Sequence, residues 1–80
     1  MNGLDRLLNL LAHTYPGWHI VPLRTPGYWY ARRTIPPSKT LRNAGAIESL
    51  VRTSYPELLD ALNRQELLTQ RYGGYSYLRR

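Results

Sequence analysis

Leucines recur at helical spacing from the start of the chain. Leu4, Leu7, Leu8 and Leu11, then Tyr15, fall on one stripe, with Asp5, Arg6, Asn9 and His13 opposite. The pattern predicts an amphipathic helix. Asn2 is placed to cap it, and Asp5 sits in the first turn, where the helix dipole favours an acid. Tyr15-Pro16-Gly17 stops it, because proline restricts the residue before it and glycine permits a reversal.

The period then shortens to 2. Two runs rich in β-branched and aromatic residues, 18 to 23 and 28 to 35, flank Arg24-Thr25-Pro26-Gly27 and predict a β-hairpin. A Pro-Gly pair suits a type II turn, whose twist fits a two-residue hairpin loop poorly. A four-residue loop, Arg24 to Gly27, joining Leu23 to Tyr28 is therefore expected. Alternation puts Trp18, Ile20, Pro22, Trp29, Ala31, Arg33 and Ile35 on one face. The other face carries His19, Val21, Leu23, Tyr28, Tyr30, Arg32 and Thr34. Pro22 has no N–H for a ladder, so its strand is expected at an edge.

Residues 36 to 45, PPSKTLRNAG, combine prolines, cations and turn residues without apolar periodicity, which predicts an exposed, mobile loop. The next segment, AIESLVRT at 46 to 53, fits either a single helical turn or a strand running into a capped helix. The strand is preferred, since it would cover one edge of a hairpin that is marginal alone. Ser54-Tyr55-Pro56-Glu57 is a capping-box pattern, with Ser54 at the N-cap, proline in the first turn and Glu57 reaching back to the N–H of Ser54. It opens a helix to about Tyr72, whose core stripe is Leu58, Ala61, Leu62, Leu68 and Tyr72, with Gln65 among them. Gly73 and Gly74 end it and leave YSYLRR as a basic aromatic tail. The expected class is α+β: a helix, a three-stranded antiparallel sheet and a second helix, with both helices on one face of the sheet.

Length makes residues 1–72 one domain, followed by the tail at 73–80, because two cores in 80 residues would each bury too little apolar surface. With no cysteine, no disulfide supports the fold. No apolar run approaches the roughly eighteen residues of a membrane span. The sequence MNGLDRLLNLL lacks the basic start and cleavage site of a signal peptide, so a cytoplasmic location without membrane association is expected.

Charge changes the picture most. The net charge is +6, and it is unevenly placed. Arg24, Arg32, Arg33, Lys39, Arg42 and Arg52 stand against the single acid Glu48 between residues 24 and 52, while residues 53 to 70 are acidic. Such a block is an electrostatic footprint for phosphate or an acidic partner, or else a solvated basic surface. Arginine exceeds lysine, and its planar fork suits bidentate phosphate contacts.

Aromatics interleaved with arginine on a sheet face can grip nucleic acid by stacking and phosphate pairing, and the same composition suits a protein interface. Tyr28 and Tyr30 could instead form ordinary cross-strand pairs. The candidate binding residues are Arg24, Tyr28, Tyr30, Arg32, Arg33, Lys39 and Arg42, whereas Trp18 and Trp29 are expected in the core. Arg33 falls on the core face and is expected to escape by snorkelling at the end of the sheet. The spacing of His13, His19 and the carboxylates matches no metal or cofactor motif, so none is expected.

The order helix, three strands, helix resembles double-stranded-RNA-binding domains. Their RNA-binding segment is a lysine-rich start to the last helix, where this chain reads SYPELLD. The same layout, with the Gly17-Trp18 start of the first strand, resembles HicA-type mRNA interferase toxins. Their catalytic histidine would fall at Gly27-Tyr28-Trp29, which carries none. The hairpin is also similar to that of small bacterial proteins with a PGW-x-I to G-x-W-Y-A-x-R pattern, a resemblance that implies no activity. The favoured expectation is a non-enzymatic module binding nucleic acid through the Arg/Tyr face. The alternative is a regulatory subunit docking an acidic protein or a second copy of itself, a homodimer, through that face. The third reading is an RNA-cleaving toxin using His19, Tyr30 and Arg32.

Overall fold

The structure, a computed structural model, describes residues 3–72. Its elements are α1 (Gly3–Thr14), β1 (Trp18–Pro22), β2 (Trp29–Arg33), α2 (Lys39–Asn43), β3 (Ser49–Arg52) and α3 (Tyr55–Arg71). The strands form one antiparallel sheet in the order β1-β2-β3. Pro22 thus lies on an edge strand, where its missing N–H costs no ladder bond. The helices pack on one face, and the class is α+β.

The register sets the faces. Trp18 pairs with Arg33, Ile20 with Ala31 and Pro22 with Trp29, while Ala31 and Trp29 meet Leu50 and Arg52 across the other ladder. Trp18, Trp29, Ala31 and Leu50 from this face join Leu11 and Tyr15 of the α1 region and Leu58, Ala61 and Leu62 of α3 in one core cluster. Leu11, Leu58 and Leu62 are fully buried, each contributing about 1.5–3 kcal/mol of transfer free energy. The rings keep their polar ends satisfied: the Tyr15 hydroxyl donates to Asn63 Oδ1 at 2.7 Å, and the Trp18 indole N–H donates to Glu66 Oε2 at 3.2 Å. Trp29 and Tyr55 meet as tilted rings with centroids 5.7 Å apart.

The hairpin closes as its chemistry requires. Leu23 N–H donates to the Tyr28 carbonyl at 2.9 Å, and Tyr28 N–H donates to the Thr25 carbonyl at 3.1 Å. Pro26 at the first inner position and Gly27 at φ +87° at the second make the Thr25–Tyr28 turn type II. Gly17 turns the chain as expected, with Trp18 N–H donating to the Tyr15 carbonyl at 3.1 Å, and does so without a positive φ.

The largest departure from the expected fold is at 36–45. These residues are not an irregular loop; they hold α2. The Ser38 hydroxyl accepts from Leu41 N–H at 3.2 Å and caps its start. At its end Ala46 N–H donates to the Leu41 carbonyl and Gly45 N–H to the Arg42 carbonyl, with Gly45 at φ +112°. This pair of bonds is a Schellman stop. Pro37, Leu41 and Ala46 are buried, so the segment is a packed corner.

Smaller corrections follow from strand and helix ends. The chain leaves the sheet after Arg33, so Ile35 is 77% exposed and not on the core face. Leu4 and Tyr72, expected in the core stripes, are exposed at the outer ends of their helices, and Thr69 is buried in α3. Ser54 caps α3 by accepting from Glu57 N–H at 3.3 Å, whereas the Glu57 carboxylate accepts from the Thr53 hydroxyl at 2.9 Å. The expected N-cap Asn2 and the tail 73–80 lie outside the described residues. Among the described residues no helix is long and apolar enough to cross a membrane.

Candidate nucleic-acid interface

The face of the sheet turned away from the helix layer carries the odd positions of β1 and β3 and the even positions of β2. His19 stands opposite Arg32, and Arg32 opposite Ser49. The next row is Val21, Tyr30 and Val51. The Leu23–Tyr28 pair follows where the loop closes, and Arg24 comes next in the chain. Two rows of apolar and aromatic side chains therefore lie between the row of Arg32 at one end and the arginine of the loop at the other.

Exposure sets this face apart from its opposite. Leu23 is 38%, Tyr28 39% and Val51 48% exposed, and His19 and Arg32 are open to solvent. Val21 and Tyr30 are half-buried by their neighbours within the sheet. The preferred strand reading of 46–53 did not extend to the face; β3 adds Val51 and Ser49 to it. Alternation within Ser49-Leu50-Val51 was the available signal.

The charge distribution is polarised across the sheet. All five Asp and Glu side chains lie away from the open face. Asp5 is on α1, and Glu57, Asp60 and Glu66 are on α3. Glu48 precedes β3, with its carbonyl accepting from Arg33 N–H at 2.8 Å and its carboxylate 3.3 Å from Arg42. The three strands contain no acid at all, so among the described residues no strand carboxylate lies beside Arg32 on its face.

The seven candidate residues thus divide. Arg24, Tyr28, Tyr30 and Arg32 belong to the open face or its loop end. Lys39 and Arg42 sit on α2, in the corner that meets the C-terminal half of α3, where a Gln65 amide N–H donates to the Gly45 carbonyl at 3.5 Å. Arg42 is engaged there, its Nε donating to the Pro37 carbonyl at 3.3 Å as well as its Nη2 to Glu48. Arg33 points to the helix side. Its guanidinium donates to the Ile47 carbonyl at 2.8 Å, to Gln65 Oε1 at 2.9 Å and to Thr69 Oγ1 at 3.4 Å. The expected snorkelling does not occur, because acceptors on α3 and before β3 hold the charge in place.

His19 and Tyr30 also share the open face with Arg32, so the residues an RNA-cleaving chemistry would use are on one surface. They lie on an open sheet, whereas a shallow depression of about 500 Å³, lined by Arg52, Pro56, Glu57 and Asp60, lies at the start of α3. No three metal-ligating side chains come together among the described residues.

No protein-family model, curated protein or solved structure matches this chain. The two resembled layouts run helix, three strands, helix; here the five-residue α2 stands between β2 and β3.

Proposed function

We propose that the protein is a small binding module that takes nucleic acid on the open face of its sheet. The observation that carries this reading is the polarity of the molecule: every Asp and Glu side chain is off that face, while Arg32, Arg24 and His19 bracket the exposed ring of Tyr28 and the half-buried ring of Tyr30. Among the described residues a polyanion meets no repulsive side chain there, and the rings offer contacts that do not depend on charge.

Binding of this kind is salt-dependent because phosphate contacts release counterions. Anisotropy titration of a labelled oligonucleotide should show affinity falling about tenfold between roughly 50 and 200 mM salt if two or three phosphates are neutralised. No binding at the lower salt overturns the reading.

The apolar row of Val21, Tyr30 and Val51 favours a second reading, in which the same face docks an acidic protein or a second copy of the chain. Sedimentation without nucleic acid separates the self-associating form from the first reading. A monomer across the micromolar range argues against it.

A further inference from the structure

We infer that the ligand of the open face is an extended single strand whose bases are drawn apart, two successive bases lying on Tyr30 and Tyr28. This rests on the nucleic-acid reading above and narrows it. Tyr28 and Tyr30 are two residues apart along β2 and its loop end, and Arg32 is two residues further on. Alternate side chains on a strand repeat every ~6.6 Å. Stacked bases in duplex DNA repeat every ~3.4 Å along each strand.

Two rings at twice the stacking repeat cannot each carry a successive base of a stacked helix. They can do so only if those bases have left one another. The price of unstacking is smallest for a strand that is already single. Shape agrees with spacing. The face is an open surface of three strands, with Val21 and Val51 on either side of Tyr30 at adjacent-strand spacings of about 4.8 Å. Duplex readers insert a helix or ribbon into a groove or track the phosphates across it. On this side of the sheet the described residues supply no helix, and α2 with Lys39 and Arg42 belongs to the opposite layer. An array of base faces, by contrast, needs only a ring per base and a cation near each end. Tyr30 and Tyr28 supply the rings, and Arg32 and Arg24 supply the charges. Ring stacking does not distinguish one base from another, so binding is tolerant of sequence.

The test uses the full chain and three probes of equal length: a thymidylate single strand, the same strand annealed to its complement, and a single strand of abasic sites. The single strand is expected to bind roughly tenfold or more tighter than either of the others, as the worth of base–ring stacking implies. Tyr30→Leu and Tyr28→Leu should each weaken it by roughly tenfold with an unchanged salt slope, and Tyr30→Phe should restore it. Equal binding of the duplex or the abasic strand overturns the inference, as do leucine variants of unchanged affinity. Binding then remains as phosphate contact alone. If none of the probes binds at low salt, the nucleic-acid reading falls with it. The comparison of probes stands on the unaltered protein and does not depend on any variant folding.

Discussion

The guanidinium of Arg33 lies 4.7 Å from the centre of the Trp18 ring, directly across the β1–β2 ladder from it. Both members of the pair are tied to α3: Arg33 through Gln65 and Thr69, and the indole N–H through Glu66. Arg33 also reaches the Ile47 carbonyl, and Gln65 Oε1 accepts from Ile47 N–H at 3.0 Å. The charge thus joins the hairpin, the last helix and the approach to β3 at one point. Its planar fork, with donors in several directions, is what such a junction requires.

Replacing Arg33 with Met keeps the aliphatic stem but removes the ring contact and the charged hydrogen bonds. The expected loss is about 2 kcal/mol of stability, since the site is only half-buried and water replaces part of what is lost. In a domain of this size that lowers Tm by roughly 10 °C. Arg33→Lys should recover less than half of it, because an ammonium cannot reach the three acceptors together. Thermal unfolding followed by tryptophan fluorescence measures both; a Met variant within 2 °C of the parent would contradict the junction role.

Tyr15 gives stability a pH dependence on the alkaline side. Burial, chiefly, and then the nearby Tyr55 and Glu66 raise its pKa above the ordinary 10.0. The folded state therefore holds the phenolic proton more tightly than the unfolded chain does. Its contribution is fully present below the unfolded pKa and is lost as pH rises from there through the folded value. Tyr15→Phe should cost about 1 kcal/mol at neutral pH through the lost hydrogen bond. It should also flatten the decline in stability above pH 10. Urea titrations at neutral pH and above pH 10 test this, and parallel declines in the two proteins would show that Tyr15 is not responsible.

Gly45 in the α2 corner and Gly17 between α1 and β1 predict opposite outcomes. A Cβ at Gly45 meets only Leu68 Cδ1, at an ordinary 3.7 Å, so the cost of Gly45→Ala is the φ of +112° and amounts to about 1–2 kcal/mol. Gly17 has no atom within 4 Å of such a Cβ and no positive φ, so Gly17→Ala should be neutral or stabilise by about 0.5 kcal/mol. Denaturant midpoints for the two variants check the contrast. Equal midpoints would mean that the Schellman stop is not what holds α2.

The same corner shows where sequence reading runs out. The hairpin and its faces follow from alternation, because period 2 and the Thr25-Pro26-Gly27-Tyr28 turn leave one arrangement in which both tryptophans are buried. Five residues, Lys39–Asn43, are too few to show a 3.6-residue period, so only the terminal signals remained: Ser38, Leu41 three residues on, and Gly45. Two prolines and two cations outweighed them. Arg33 was legible as a residue on the wrong face for its charge. Its solution was not, since the acceptors on Gln65, Thr69 and Ile47 come from 14 to 36 residues away in the chain. On the open face, Tyr30, Arg32 and Val51 were readable by alternation, while the place of Val51 beside Tyr30 needed the β2–β3 register.

Arg32 and Arg33 are neighbours in sequence with opposite surroundings, and the pair separates binding from stability. Arg32 sits among His19 and Ser49 on the open face, exposed and away from every acid, so Arg32→Gln should change stability by less than about 0.5 kcal/mol. It removes one phosphate contact, which should weaken oligonucleotide binding severalfold at low salt and lower the salt slope by about 1. Arg33→Gln removes the same formal charge a few ångströms away through the sheet. It should cost about 2 kcal/mol of stability while leaving the affinity of the folded fraction within about twofold, because its charge faces Gln65 and Thr69. Paired urea and anisotropy titrations on the two variants read both quantities. If Arg33→Gln weakens binding as much as Arg32→Gln does, the interaction depends on net charge rather than on the open face, and the assignment of the site to that face fails.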